Sequence, residues 1–266
     1  MITITDAADP RLDLFRQNER ALSNRISRRN DDAPGHFVAE GDLVVERALD
    51  HGCRPVAALV DADDVPAVTQ RFVDSTGVVF GAGAPLRRHV ARMGRVQPII
   101  AVFERPPRPS VDDVIAGTDR VVIIEAVDNP ANVGSIVRNA AALGWGGLVL
   151  DHTSADPLSR RALRVAMGTA FSVPHARTAD LGGSLRSMSS DGWTTVALTL
   201  AADAVDLDEI ESAGRCAIVI GAERSGLSGA VTAACSHRAK IPMNPEVDSL
   251  NAAAASAIAC YSLRPR

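Results

Sequence analysis

Five polar residues stand out by type and placement. They are Asn132 and Arg138 in DNPANVGSIVRNAAALGWGG (128–147), Glu223 in AIVIGAERSGLS (217–228), and Ser249 and Asn251 in KIPMNPEVDSLNAAAASAIACYSL (240–263). Carboxamides, a hydroxyl, a carboxylate and a guanidinium can together hold and orient a polar ligand. In the first block a strand ends in a polar turn, and Asn132 takes the N-cap position of the helix that follows. Val133, Ile136, Val137 and Ala140 recur at i, i+3, i+4 and i+7 and face a sheet, which puts Arg138 on another face. Helical side chains lean toward the N-terminus, so Arg138 projects over the patch that Gly134 leaves bare, with room for a substrate. Glu223 follows a buried strand in a loop bounded by Gly221 and Gly226, and ligands of α/β sheets gather beyond the carboxyl ends of strands. Ser249 and Asn251 open the closing helix, where they can cap it or reach a ligand. Each block alone also has a plain reading: a surface arginine, a solvated acidic turn, and an alanine run chosen because alanine is the best helix former.

The elements that position these residues belong to an α/β chain. VVIIEAV (121–127) and GLVLD (147–151) are apolar throughout, as strands buried on both faces are, with an amphipathic helix between them. Further strands are expected at 194–200, 216–220 and 238–241, with a last helix at 249–263, giving a mostly parallel sheet. Before them, FVAEGDLVVERALDHG reads as helical, AALVD and TGVVFGAG as strands and LRRHVARMG as helical, a smaller α/β domain. ERPPRPS (104–110) holds three prolines and can continue neither a helix nor a central strand. The expected division is therefore a domain over 1–104, a linker over 105–118 and a second domain over 119–266.

At 266 residues the chain has length for two cores, and 46% hydrophobic with 23% charged residues is the balance of a globular protein. A net charge of −4 argues against a uniformly basic nucleic-acid packager, and 3% aromatics against a surface built on base stacking. No apolar run reaches a membrane span and MITITDAADPRLDLF lacks the features of a signal peptide, so a cytoplasmic protein is expected. Cys53, Cys216, Cys235 and Cys260 form no C-x-x-C pair, so no metal site is expected and the thiols read as buried and reduced. A nucleotide-binding oxidoreductase fails on motif: no strand is followed by G-x-G-x-x-G, and GAG at 81–83 lacks the third glycine. A P-loop, H-E-x-x-H and G-x-S-x-G are also missing.

In order, the three blocks read N-x-G-x-I-x-R, G-x-E-x-x-G-L, and I-P-M followed by S-L-N. Between the first two, DPLSRRALRVAMGTAFSVP (156–174) fits D-P-x-S-x-x-A-x-R-x-x-x-G-x-x-F-x-x-P. Over about residues 119–263 the chain thereby resembles the SpoU, or TrmH-like, RNA methyltransferases. HFVAEGDLVVERAL (36–49) is similar to the F-x-x-E-G opening of the substrate-binding domain that many members carry, itself similar to a ribosomal-protein RNA-binding fold. Arg224 and Ser225, between Glu223 and Gly226, and Ala166, where many relatives have serine, depart from the pattern.

The resemblance implies a catalytic domain with a trefoil knot, S-adenosylmethionine as cofactor, and methyl transfer to a ribose 2′-hydroxyl of RNA. The N-terminal domain favours ribosomal RNA; a transfer-RNA substrate, or a non-catalytic homologue that binds ribosomal RNA, are the alternatives. It implies a cofactor pocket from Leu200, Gly221, Glu223, Ile241, Met243 and Leu250, and catalytic roles for Asn132, Arg138, Glu223, Ser249 and Asn251. Arg138 would lie beside the 2′-hydroxyl. A guanidinium stays protonated, so it would stabilise developing negative charge or hold a phosphate that itself takes the proton. A homodimer through the knot region and last helix is also implied. For RNA contact the candidates are Arg160, Arg161 and Arg164 in one helical segment, with Arg160 and Arg164 on one face. Arg28 and Arg29 with Arg25, and Arg87, Arg88, Arg92 and Arg95, form two further clusters.

Overall fold

The computed structural model describes residues 1–22, 35–91, 96–211, 213–244 and 246–265. Arg25, Arg28, Arg29, Arg92 and Arg95, named above as RNA candidates, lie outside the described residues. The chain divides into two compact units: Met1–Pro107 with Leu158–Phe171, and Arg108–Pro157 with Ser172–Arg266. The cut at 107/108 lies within the proline-rich stretch, and residues 158–171 group with the first unit.

The first unit has five strands among the described residues: β1 (Ile2–Thr3), β2 (His36–Glu40), β3 (Pro55–Asp61), β4 (Val78–Ala82) and β5 (Ile99–Glu104), in the order β1-β4-β3-β5-β2. β1, β4 and β3 are parallel, and β5 runs antiparallel to both β3 and β2. Around them lie α1 (Asp13–Arg16), α2 (Glu19–Leu22), α3 (Asp42–Asp50), α4 (Val68–Asp74) and α5 (Ala84–Ala91). The stretch 37–52, expected to be one helix, is strand then helix. Gly41, at φ +84°, makes the break between β2 and α3 in a backbone conformation that L side chains rarely adopt. β5 was not among the expected strands because its apolar run ends at the proline-rich stretch. All six phenylalanines lie in this unit and make ring contacts there, Phe37 stacking on Phe103 at 5.3 Å. Phe15, Phe37, Phe72, Phe80 and Phe103 are buried in the core, and Phe171 is half-buried beside Phe37.

The 158–171 segment carries α8 (Arg160–Val165). Arg160 and Arg164 share a face, as their spacing requires, but that face meets Glu40, whose side chain is 2% exposed. Arg160 Nε donates to Glu40 Oε1 at 2.6 Å, and Arg164 Nη2 pairs with Oε2. The two arginines therefore neutralise a buried carboxylate at the end of β2 and are not free to grip phosphate; only Arg161 of this group is exposed. Arg87 is likewise structural. It is 3% exposed, ion-paired to Asp61 and bonded to the carbonyls of Ala82 and Gln97. Glu40→Ala should lower stability by about 3 kcal/mol, because it leaves two guanidinium groups partly buried without their anion. The first denaturant transition, followed by circular dichroism, measures it; an unchanged midpoint would exclude this role for the carboxylate.

In the second unit the expected linker is partly a helix, α6 (Val111–Ala116), started by a capping box between Ser110 and Asp113. Seven strands are described: β6 (Arg120–Ile124), β7 (Gly147–Leu150), β8 (His175–Arg177), β9 (Thr194–Leu198), β10 (Val205–Asp206), β11 (Cys216–Ile220) and β12 (His237–Lys240). Their order is β10-β12-β9-β11-β6-β7-β8 and every pair is parallel. β6 and β11 are buried at every position, which explains the apolar run that follows Arg120 in β6 and fills β11. The helices are α7 (Pro130–Ala142), α9 (Leu181–Ser190), α10 (Gly229–Ala234) and α11 (Ala252–Ser262).

α7 and α11 lie against each other. The alanines of α11 permit the close approach, and Asn139 holds it, donating from Nδ2 to Ala253 O at 2.9 Å and to Ser256 Oγ at 2.8 Å. Asn139→Ala should lower the melting temperature, with a cost of about 1–2 kcal/mol for the two lost bonds; calorimetry on the full chain tests it. The thiols of Cys53, Cys216 and Cys260 are buried, and burial pushes those of Cys53 and Cys260 up to about 11 and about 12. Cys53 and Cys260 therefore stay protonated and inert.

Candidate active site

The site forms at the carboxyl ends of β6, β9, β11 and β12. After β6 the chain turns sharply, with Ala126 at φ 55°. Asp151 fixes this corner by accepting the N–H groups of Ala126 and Ser154 and the hydroxyls of Ser154 and Thr153, while Ser154 Oγ accepts from Val127. Partial burial would raise the Asp151 carboxyl, but these hydrogen bonds outweigh it and hold the group below its ordinary value of 3.8. A depressed carboxyl stabilises the fold above pH 3.8 and loses that contribution as pH falls further. The stability gap between the native chain and Asp151→Asn should therefore narrow on acidification below that value, as read from urea midpoints against pH.

The corner delivers α7, which Asn129 caps by accepting from Ala131 N at 3.0 Å. Asn132, expected at the cap, is instead the third residue of the helix, and Pro130 opens it. That shift buries Asn132 to 7% exposure and aims its carboxamide at Glu223. Asn132 Nδ2 donates to Glu223 Oε1 at 2.8 Å. Asn251 is the N-cap of α11, its Oδ1 accepting from Ala253 N at 2.8 Å and Ala254 N at 3.4 Å. With its oxygen committed to the helix, its Nδ2 must face away, and it donates to Glu223 Oε1 and to Asn132 Oδ1, the latter at 3.3 Å. Three residues from three distant blocks thus close one hydrogen-bonded ring, and Glu223 Oε2 has no partner among the described residues.

Glu223 lies in a tight loop closed on itself. Gly226 N donates to Ala222 O at 2.9 Å, Gly226 sits at φ +64°, and Gly221 abuts the backbone of Gly226 and Leu227. This loop walls one side of a cavity of about 570 Å³, in the size range of small-molecule sites. Leu200, Gly221, Glu223, Ile241, Met243 and Leu250, expected around a cofactor, all line it, and so does Ser249. Apolar side chains from three segments face loop backbone groups, a lining that suits an adenine ring and its hydrogen-bonding edge.

Arg138 stands apart. Six residues beyond Asn132 it is about 9 Å further along the axis of α7 and points another way. It is exposed, lines no part of the cavity and forms no hydrogen bond among the described residues. Gly134, expected to leave a bare patch beneath it, is buried. Ser249 does not open the helix as expected; α11 begins three residues later, so this hydroxyl is exposed at the cavity instead.

The SpoU rRNA Methylase family model matches residues 119–261. A Mycobacterium bovis protein named an uncharacterized tRNA/rRNA methyltransferase is 38% identical over 270 residues, spanning 97% of this chain and 90% of its own length. This chain belongs to the SpoU rRNA methylase family. The SpoU architecture holds over nearly the full length. An AdoMet-bound rRNA methyltransferase from Sinorhizobium meliloti superposes with a TM-score of 0.80 at 25% identity, covering 98% of this chain and 96% of that one. The SpoU methyltransferase AviRb from Streptomyces viridochromogenes, solved with its cofactor AdoMet, does so at 0.78 and 25%, covering 96% and 97%. Within this SpoU fold, sequence motifs alone did not reveal Asn129 or Asp151, which shape the site through its backbone. The polar turn after β6 was the available signal.

Proposed function

We propose that this chain methylates RNA at a ribose 2′-hydroxyl, with ribosomal RNA as the substrate. Its cofactor is S-adenosylmethionine, held in the cavity by Leu200, Ile241, Met243 and Leu250 and by the backbone of the loop 221–227. The observation that carries this reading is the ring of Asn132, Glu223 and Asn251 beside that cavity. Bound there, the cofactor would supply an electrophilic methyl group for the 2′-oxygen.

The protein's part is alignment and charge. Two carboxamides fix Glu223 Oε1, leaving Oε2 to receive a donor from a ligand. Ser249 supplies a hydroxyl at the cavity. Arg138, exposed and unpaired on α7, holds an RNA phosphate near the attacking oxygen, and that phosphate takes the hydroxyl proton. Arg161 and Arg88, the remaining exposed arginines of the expected clusters, are available for RNA backbone contact. The first unit, with its mixed five-stranded sheet, serves as the substrate-binding domain.

The C-terminal path supports a trefoil knot: β12 pairs with β9, and the chain then returns so that α11 packs on α7 and β11. Ala254, Ile258 and Tyr261 form an exposed apolar stripe on α11, 39% and 58% exposed at the last two, which supports a homodimer through this helix. A single monomeric species by sedimentation at micromolar concentration would refute that assembly. Among the described residues no helix is long and apolar enough to cross a membrane, and we place the enzyme in the cytoplasm with its substrate. Comparing ribose-methylation maps of cellular RNA with and without the gene tests the activity. Loss of a single ribosomal ribose methyl is expected; loss from transfer RNA would move the target, and no loss would reject the reading.

A further inference from the structure

We propose that Glu125 is a positioning residue for the loop 221–227 and sets the affinity for S-adenosylmethionine through Ser228. The proposal rests on the reading of the 570 Å³ cavity as the cofactor site. Glu125 directly follows β6, and its backbone N–H donates to Ile220 O at 2.9 Å, tying it to the end of β11. Its carboxylate receives the backbone N–H of Ser228 on Oε2 and the Ser228 hydroxyl on Oε1, each at 2.7 Å. Ser228 is the first residue beyond the loop and the N-cap of α10.

The loop is thus fixed at both ends by different means. Gly221 is pressed against the backbone of Gly226 and Leu227 at its entry, and Ser228 is clamped by Glu125 at its exit. The residues between, 223–226, are exposed and have no core of their own. Glu125 also precedes the left-handed Ala126, so it stands where the chain turns toward α7 and Asn132. One carboxylate therefore joins the two segments whose side chains meet in the Asn132–Glu223 hydrogen bond. A carboxylate suits this place because its two oxygens can accept both donors of one serine at once. Glutamine can accept one donor and give its own N–H to the hydroxyl oxygen; alanine can do neither.

The test is calorimetric titration of S-adenosylmethionine into the full-length native chain and into Glu125→Ala, Glu125→Gln and Ser228→Ala, with Gly221→Ala as control. Glu125→Ala should raise Kd about tenfold, the effect of losing one or two hydrogen bonds to a charged group. Glu125→Gln should recover most of the affinity. Ser228→Ala, which keeps the backbone bond, should raise Kd about threefold. A merely structural Glu125 would lower the melting temperature yet leave Kd at the native value in the cold, and that result overturns the proposal. If Glu125→Ala fails to fold, native affinity in both Ser228→Ala and Glu125→Gln overturns it equally. If Gly221→Ala binds as the native chain does, the cavity reading itself is wrong, a failure distinct from that of Glu125.

Discussion

Gly221→Ala should weaken S-adenosylmethionine binding about a hundredfold while leaving the chain folded. A Cβ at this position would lie 2.3 Å from Gly226 C and 2.5 Å from both Gly226 O and Leu227 N. Those atoms are backbone, so no side chain can swing aside, and the loop must open to admit the methyl group. Overpacking of this kind costs about 1–3 kcal/mol, and here the strain falls on the wall of the cavity. The strands beneath are buried and paired on both sides, so the cost is local. We expect Kd to rise about a hundredfold by calorimetry, with an unchanged far-ultraviolet spectrum. Affinity within about threefold of native would mean that the cofactor does not bind in this cavity.

Arg138→Ala should have the opposite signature. The side chain is exposed and bonds to nothing among the described residues, so its removal should cost no stability and leave cofactor affinity within about twofold of native. Methyl transfer should fall about a hundredfold to a thousandfold, the loss typical of removing one charge-stabilising donor. Single-turnover assays on the identified RNA measure the first quantity and calorimetry the second. Equal loss of both would make Arg138 a structural residue and remove it from the chemistry. The two variants together separate cofactor binding from transfer within one chain.

Much of the site was legible in the sequence because its residues lie in continuous blocks with strong local signals. The apolar runs at β6 and β11 mark strands buried on both faces, and the i, i+3, i+4, i+7 pattern of α7 names four of its buried side chains, leaving out Asn132. Resemblance to the family selected the residues that line the cavity. What escaped depends on contacts distant in sequence. Arg160 and Arg164 look like a phosphate grip until Glu40, 120 residues away, is found between them. Asn132 reads as a cap because the polar run DNPAN offers two asparagines, and only the backbone decides that Asn129 has the role. β8, three residues long, and β10, two residues long, are held by pairing with longer neighbours and carry too little pattern to be found alone.

The assignment of residues 158–171 to the first unit bears on how such enzymes can be recombined. A chimera that grafts residues 1–107 onto another methyltransferase would cut the chain once but sever a partnership made twice. It would set Glu40 opposite whatever the new domain carries at the places of Arg160 and Arg164. The first unit of this chain is therefore not a detachable cassette: exchange of residues 1–107 succeeds only when the stretch 158–171 travels with them.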